Sequence, residues 1–183
     1  MPIFGITASS NQFAKLGDFS QIATTTVGSG GAASITFSSI PQNYTHLQIR
    51  VIAKQTTAST LTSLSMWFNS DTARNYPRHE LYSDGSSTTS GGITAASNGE
   101  ELLFYAGSGS QFGPAVVDIL DYKNTNKNKT YGSICGVDNS GSGYALFTSG
   151  VWLSTSAINT ITIAGNGSTL SQYSSFQLYG VMA

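Results

Sequence analysis

The chain has 183 residues, of which only 9% are charged, and its 8 basic and 9 acidic side chains leave a formal net charge of −1. Because the lysines and arginines are few and scattered, they form no basic stripe for releasing counterions from DNA or RNA, and we expect no nucleic-acid partner. The length suits one domain, and an aromatic content of 11% argues against disorder of the whole chain.

The first 20 residues contain apolar side chains without a clean period, spaced by Gly5 and Gly17. These side chains need another surface to cover them, so we predict an arm that anchors the protein to a partner chain. The predicted anchoring residues are Phe4, Ile6, Phe13, Leu16 and Phe19. The segment has no positively charged stretch and no long apolar run, so we expect synthesis in the cytoplasm and no membrane insertion.

The first strand is predicted at residues 22–27, and a glycine-rich turn after it predicts a hairpin with the next strand. Residues 34–53 then contain two segments in which apolar and polar residues alternate, which is the period of a β-strand. Pro41 separates the segments, because proline cannot donate to a strand ladder and restricts the residue before it. We therefore assign residues 1–33 to the arm and first short strand, and residues 34–183 to a β-sandwich domain.

The rest of the chain continues the strand pattern. Further strands are predicted at residues 61–69, 101–106, 115–122, 130–137, 144–153, 158–164 and 176–181. Turn signals predict a loop-rich region at residues 70–97. About nine or ten short strands without a helical period indicate an all-β fold, an antiparallel β-sandwich of the jelly-roll type with a short N-terminal arm. The residues predicted to lie inside it are Ile35, Phe37, Leu47, Ile49, Val51, Ile119, Ile161, Ile163, Phe176 and Leu178.

The residue types that carry catalysis or bind metals are sparse. The two histidines, His46 and His79, fit no recurring metal-ligand spacing, and Cys135 lies in an apolar strand pattern that favours a buried thiol. Asp118 and Asp121 are three positions apart on a strand, so they point to opposite faces and cannot share one site. We predict no enzymatic activity, no cofactor and no bound metal.

Aromatic residues are the one surplus. Most are expected to fill the core or a subunit interface, but aromatic rings with a polar rim also suit carbohydrate. The candidate contacts for a glycan or a partner are Tyr76, Tyr82 and Tyr144.

Several segments together resemble a domain of virion proteins of tailed bacteriophages, found in tail fibres and capsid-surface appendages. They are ITFSSIPQNYTHLQIR from Ile35, FNSDTARNY from Phe68, VVDILDYKNTNKNKT from Val116, SGVWLSTSAINTITI from Ser149 and SQYSSFQLYGV from Ser171. The resemblance covers residues 34–181, and co-ordered segments are more specific than one motif.

The resemblance implies a non-enzymatic β-sandwich on the virion surface, made in the host cytoplasm, and a homo-oligomer with a trimer favoured. Only about twenty to thirty residues precede the sandwich, too few for a long fibre shaft at about 1.5 Å per helical residue, so we expect a small appendage. The first interpretation is a capsid decoration, cement-like or head-fibre protein whose arm binds the major capsid protein. The alternative is a tail or tail-fibre module that binds tail components and recognises host-surface carbohydrate.

Overall fold

A computed structural model of the chain describes residues 19–57, 62–94, 104–106 and 111–182. Within these ranges the chain forms twelve strands and no helix. Consequently the described residues contain no helix of the length and hydropathy needed to span a membrane. The all-β prediction is confirmed.

The strands are antiparallel to their neighbours and mostly short. Their bounds are β1 Phe19–Thr26, β2 Ser34–Phe37, β3 His46–Ala53, β4 Thr62–Phe68, β5 Arg78–Ser83, β6 Thr88–Ile93, β7 Phe104–Ala106, β8 Gly113–Leu120, β9 Lys129–Asp138, β10 Gly143–Trp152, β11 Ile161–Gly165 and β12 Ser175–Val181.

Two sheets of unequal size form the sandwich. The larger has eight strands in the order β1-β12-β3-β8-β9-β10-β5-β6, and the smaller has four in the order β2-β11-β4-β7. The central strands alternate strictly, as in β8, where Val117 and Ile119 are buried while Val116 and Leu120 are exposed. The large sheet therefore has an inner face toward the small sheet and an outer face toward solvent.

The core lies between the two sheets. All ten residues predicted to lie inside are buried, and Ile49, Ile119 and Phe176 have no accessible surface. Removing apolar area from water contributes about 25 cal/mol per Å², so these side chains are the main stabilising element of the sandwich.

At Pro41, where the sequence predicts a break between two strands, the chain passes from one sheet to the other. β2 pairs with β11 in the small sheet, whereas β3 pairs with β8 and β12 in the large sheet. The Pro41 carbonyl accepts a hydrogen bond from the Tyr122 hydroxyl, and Gln42 Nε2 donates to the carbonyls of Ile40 and Ile158. These bonds satisfy backbone acceptors that a strand ladder no longer reaches.

Three sequence-based expectations need correction. The loop-rich region at residues 70–97 contains the β5–β6 hairpin, which extends the large sheet. The predicted hairpin between the first two strands is wrong, because β1 and β2 lie in different sheets. β1 begins at Phe19 and pairs with β12, so the segment assigned to residues 1–33 contributes a strand to the sandwich itself.

Candidate functional site

The polar side chains considered for catalysis or metal binding lie apart. His46 Nδ1 accepts a hydrogen bond from the backbone N–H of Asp121 at 2.9 Å, His79 is exposed on β5, and Cys135 is buried. Asp118 is exposed on β8, where one carboxylate oxygen accepts a bond from Gln48 Nε2 at 2.8 Å. Among the described residues no three His, Cys, Asp or Glu side chains come close enough to hold a metal ion.

Asp71 joins the loop after β4 to β10. Its Oδ2 accepts hydrogen bonds from Trp152 Nε1 at 2.7 Å and from Asn75 Nδ2 at 2.9 Å, and its Oδ1 accepts one from the Ala73 N–H at 2.9 Å. Partial burial disfavours the carboxylate, but these three bonds outweigh that effect and lower the pKa of Asp71 below its ordinary value. The arrangement is structural, because all three donors belong to the protein scaffold.

Asn69, which directly follows β4, also connects this loop to a distant segment by hydrogen bonds. Its Oδ1 accepts from the N–H groups of Asn159 and Thr160, and its Nδ2 donates to the Ala157 carbonyl. Asn69 has a positive φ of 51°, a left-handed conformation that asparagine tolerates better than most residues. The segment FNSDTARNY therefore links β10 of the large sheet to the residues that lead into β11 of the small sheet.

Tyr76 is not a surface contact. Its side chain has no accessible surface, and its hydroxyl accepts from the Phe68 N–H at 3.1 Å and donates to the Asp71 carbonyl at 2.9 Å. Burial raises the pKa of the Tyr76 hydroxyl well above its ordinary value. The prediction that Tyr76 contacts a glycan or a partner is therefore wrong, because the ring fills the core beside Trp152.

Phe19 is the one predicted anchoring residue within the described part of the chain. Its ring stacks on Tyr179 with centroids 4.5 Å apart, and the Arg50 guanidinium lies 5.0 Å from its centroid. The side chain is still 40% exposed. Phe4, Ile6, Phe13 and Leu16 lie outside the described residues.

Tyr82 and Tyr144 are close together at the β5 edge of β10. Their ring centroids are 6.5 Å apart, and both side chains are partly buried. By strand alternation they lie on the same face as Leu146, which is buried, so Tyr82 packs against the margin of the core. Tyr82 thus packs against the core, whereas Tyr144 also lines the cleft described next.

A cleft of about 740 Å³ opens at one end of the large sheet. Its floor, which we call the cleft floor, consists of Pro114, Gly136 and Ala145, and its walls are the turns at residues 83–86 and 138–143. Asp84 stabilises the first turn: the N–H groups of Ser87 and Ser86 donate to its carboxylate and hold the pKa of Asp84 at about 2. The walls are therefore rich in hydroxyl, amide and carboxylate groups, while the floor is small and apolar.

Next to the cleft floor, the outer face of the large sheet carries exposed apolar side chains in one line. Cross-strand register places Val116 opposite Ile134, Ile134 opposite Phe147, and Phe147 opposite Leu81. We call these four side chains the apolar row; their exposed fractions are 38% for Val116, 66% for Ile134, 50% for Phe147 and 50% for Leu81. Contiguous exposed apolar side chains of this kind mark interaction surfaces.

Comparison with protein-family models and with curated proteins finds no match.

Sequence reasoning did not single out the apolar row. A signal was present: β8 and β9 have apolar residues at inward positions, such as Val117 and Cys135, and also at outward positions, such as Val116 and Ile134. A strand with apolar residues on both faces indicates burial on both faces. Because the small sheet covers only the inner face, the outer apolar side chains stay exposed.

Proposed function

We propose that this chain is a non-enzymatic structural protein of a tailed-bacteriophage virion, and that it decorates the capsid surface. The observation that carries the proposal is the apolar row, because a row of exposed apolar residues on a rigid sheet suits protein assembly rather than chemistry on a small substrate. The resemblance of residues 34–181 to virion proteins supports the same interpretation, since its FNSDTARNY segment belongs to the scaffold that presents this face.

The proposed anchor to the capsid is the segment before β1. Phe4, Ile6, Phe13 and Leu16 are apolar, and the chain joins the sheet at Phe19. Arg50 lies beside Phe19 and, by register, directly opposite Val116, so the segment joins the sheet beside the apolar row. Association through apolar burial depends little on salt, because ions screen charges and not apolar contacts.

Deleting residues 1–18 tests this anchor and leaves β1 intact from Phe19 onward. We expect the truncated protein to melt at the same temperature as the full chain but to be absent from purified virions, as detected by immunoblotting and electron microscopy. A matched variant keeps the length but carries Ser at Phe4, Ile6, Phe13 and Leu16, and it should also be absent.

Two results would contradict the anchor. One is normal occupancy of the truncated protein on virions. The other is loss of the intact protein in about 1 M salt, where the screening length falls to about 3 Å and only charge-based contacts weaken strongly.

The cleft favours a second candidate function, a tail or tail-fibre module that recognises host-surface carbohydrate. Its walls offer the carboxylates of Asp84 and Asp138 together with serine hydroxyls, groups that hydrogen-bond sugars. Electron microscopy of virions labelled with an antibody to this chain separates the two functions, since one places the label on heads and the other on tails. Binding of the purified protein to host-cell polysaccharide that Ala145→Arg abolishes would support the second.

A further inference from the structure

We infer that the outer face of the eight-stranded sheet is the contact between two copies of this chain, packed face to face around a two-fold axis. We infer it from this surface alone, so it does not depend on the proposed function.

The face has a ridge and a groove side by side. The apolar row forms the ridge, and two residues farther along each strand lie the short side chains of the cleft floor, Pro114, Gly136 and Ala145. On β9 the contrast is largest, because the 66% exposed Ile134 stands next to a glycine that has no side chain.

A ridge beside a parallel groove is self-complementary. A two-fold axis that lies in the interface, parallel to the apolar row and midway between the row and the cleft floor, exchanges the two. It seats Ile134 of each copy over Gly136 of the other and Phe147 over Ala145. Isologous contacts of this kind close on themselves, and twisted sheets pack well face to face at about 10 Å.

The groove on the other side of the apolar row is a poorer fit. It contains Asp118 and His79, and packing an apolar row over them would take a carboxylate and an imidazole out of water with no opposite charge facing them from the row. With the axis on the cleft-floor side, Asp118 of each copy instead faces the end of β8 in the other. There the ammonium of Lys54 lies 5.1 Å from the centroid of the Phe112 ring. At the rim of the interface, the Asp118 carboxylate of one copy therefore faces the Lys54 ammonium of the other.

The area is adequate for a stable dimer. Five strands from β3 to β5, at about 4.8 Å spacing and about eight residues of about 3.3 Å, give a face of roughly 600 Å² in projection. Its accessible area is larger, because side chains stand out from it. One partner in a standard interface contributes about 800 Å².

Sedimentation and light scattering of the purified full-length chain test the inference. We expect the mass of two chains for the wild type, and of one chain for Ile134→Lys and for Ala145→Arg, which fills the groove. Both positions are exposed, so these variants should still fold, and their circular dichroism spectra should match that of the wild type. The matched control is Leu153→Lys: Leu153 is 48% exposed but follows the far end of β10, and this variant should remain a dimer.

Cross-linking tests the axis itself. In a Cys135→Ser background, the two-fold places a cysteine at Ala145 roughly 7 Å in the plane from its copy, and a cysteine at Leu153 roughly 45 Å from its copy. A short bismaleimide should therefore join Ala145→Cys chains in pairs and leave Leu153→Cys chains unjoined. A monomeric wild type would leave this face to a different protein or a glycan and would overturn the inference. A trimer, which the virion resemblance implies, would overturn it as well, as would equal cross-linking at both positions.

Discussion

Replacing Asp71 should show how strongly one carboxylate holds the two-sheet scaffold together. Each of its three hydrogen bonds involves a charged acceptor, and such bonds contribute about 1.5 to 3 kcal/mol when fully buried. The side chain is only partly buried, so water replaces part of this when the bonds are lost. We expect Asp71→Ala to lower the free energy of unfolding by about 2 to 4 kcal/mol.

We expect Asp71→Asn to lower the free energy of unfolding by less than Asp71→Ala does. An amide can turn its oxygen toward Trp152 and Asn75, which both donate to Oδ2, and then it loses the bond from the Ala73 N–H and the negative charge. At about 2 to 4 °C per kcal/mol for a domain of this size, the melting temperature should fall by roughly 5 to 15 °C for the alanine variant. Differential scanning calorimetry measures both values.

The pH dependence provides an independent check. Because the pKa of Asp71 is lower in the folded chain than in the unfolded chain, its stabilising contribution is present above the unfolded value of about 3.9. The contribution is lost as the pH falls through the folded pKa. The difference in stability between the wild type and Asp71→Asn should therefore be largest at neutral pH and narrow in acid.

The control for Asp71 is Asp84→Asn. Asp84 also accepts several hydrogen bonds, but from the exposed residues Ser86 and Ser87 of a surface turn, so the melting temperature at neutral pH should hardly change. If Asp71→Ala melted with the wild type, or if its deficit persisted unchanged at low pH, the carboxylate would not hold the loop to β10 as described.

Three further experiments test the packing of the sandwich. Ile49→Asp should unfold or aggregate the protein, because it places an unpaired charge where a side chain has no accessible surface, at a cost of several kcal/mol; a soluble variant with an unchanged melting temperature would contradict this assignment. Gly180→Ala should destabilise, because a Cβ there would lie 2.3 Å from the Tyr44 ring, whereas Gly28→Ala, with no atom within 4 Å, should melt normally. The Cys135 thiol should react with a thiol reagent slowly in the native protein and quickly in denaturant, and fast native labelling would refute its burial.

The β5–β6 hairpin was not predicted from the sequence, because it is polar. β5 and β6 lie at the edge of the large sheet, beyond β10, and of their residues only Arg78 is buried. Without a buried face the apolar alternation that identifies a strand disappears, and only pairing with β10 makes the segment part of the sheet.

The same limit applies to the site. Tyr76 and Tyr144 occur in similarly mixed sequence, yet Tyr76 is enclosed by the core and Tyr144 lies at a cleft. Which aromatic ring meets solvent depends on which part of one sheet the other covers, and that is a long-range property.

Alternation and Pro41 were enough to predict the all-β class, the ten core positions and a break between two strands, because alternation and the missing proline N–H act between neighbours in the chain. The change of sheet at that break was visible only in the strand pairing. The apolar row is different. Val116, Ile134, Phe147 and Leu81 are spread over 67 residues of sequence and come into line only through the registers of three strand pairs. Since a shift of one residue in any of those registers would turn a side chain to the opposite face, pairing in the folded protein creates this surface.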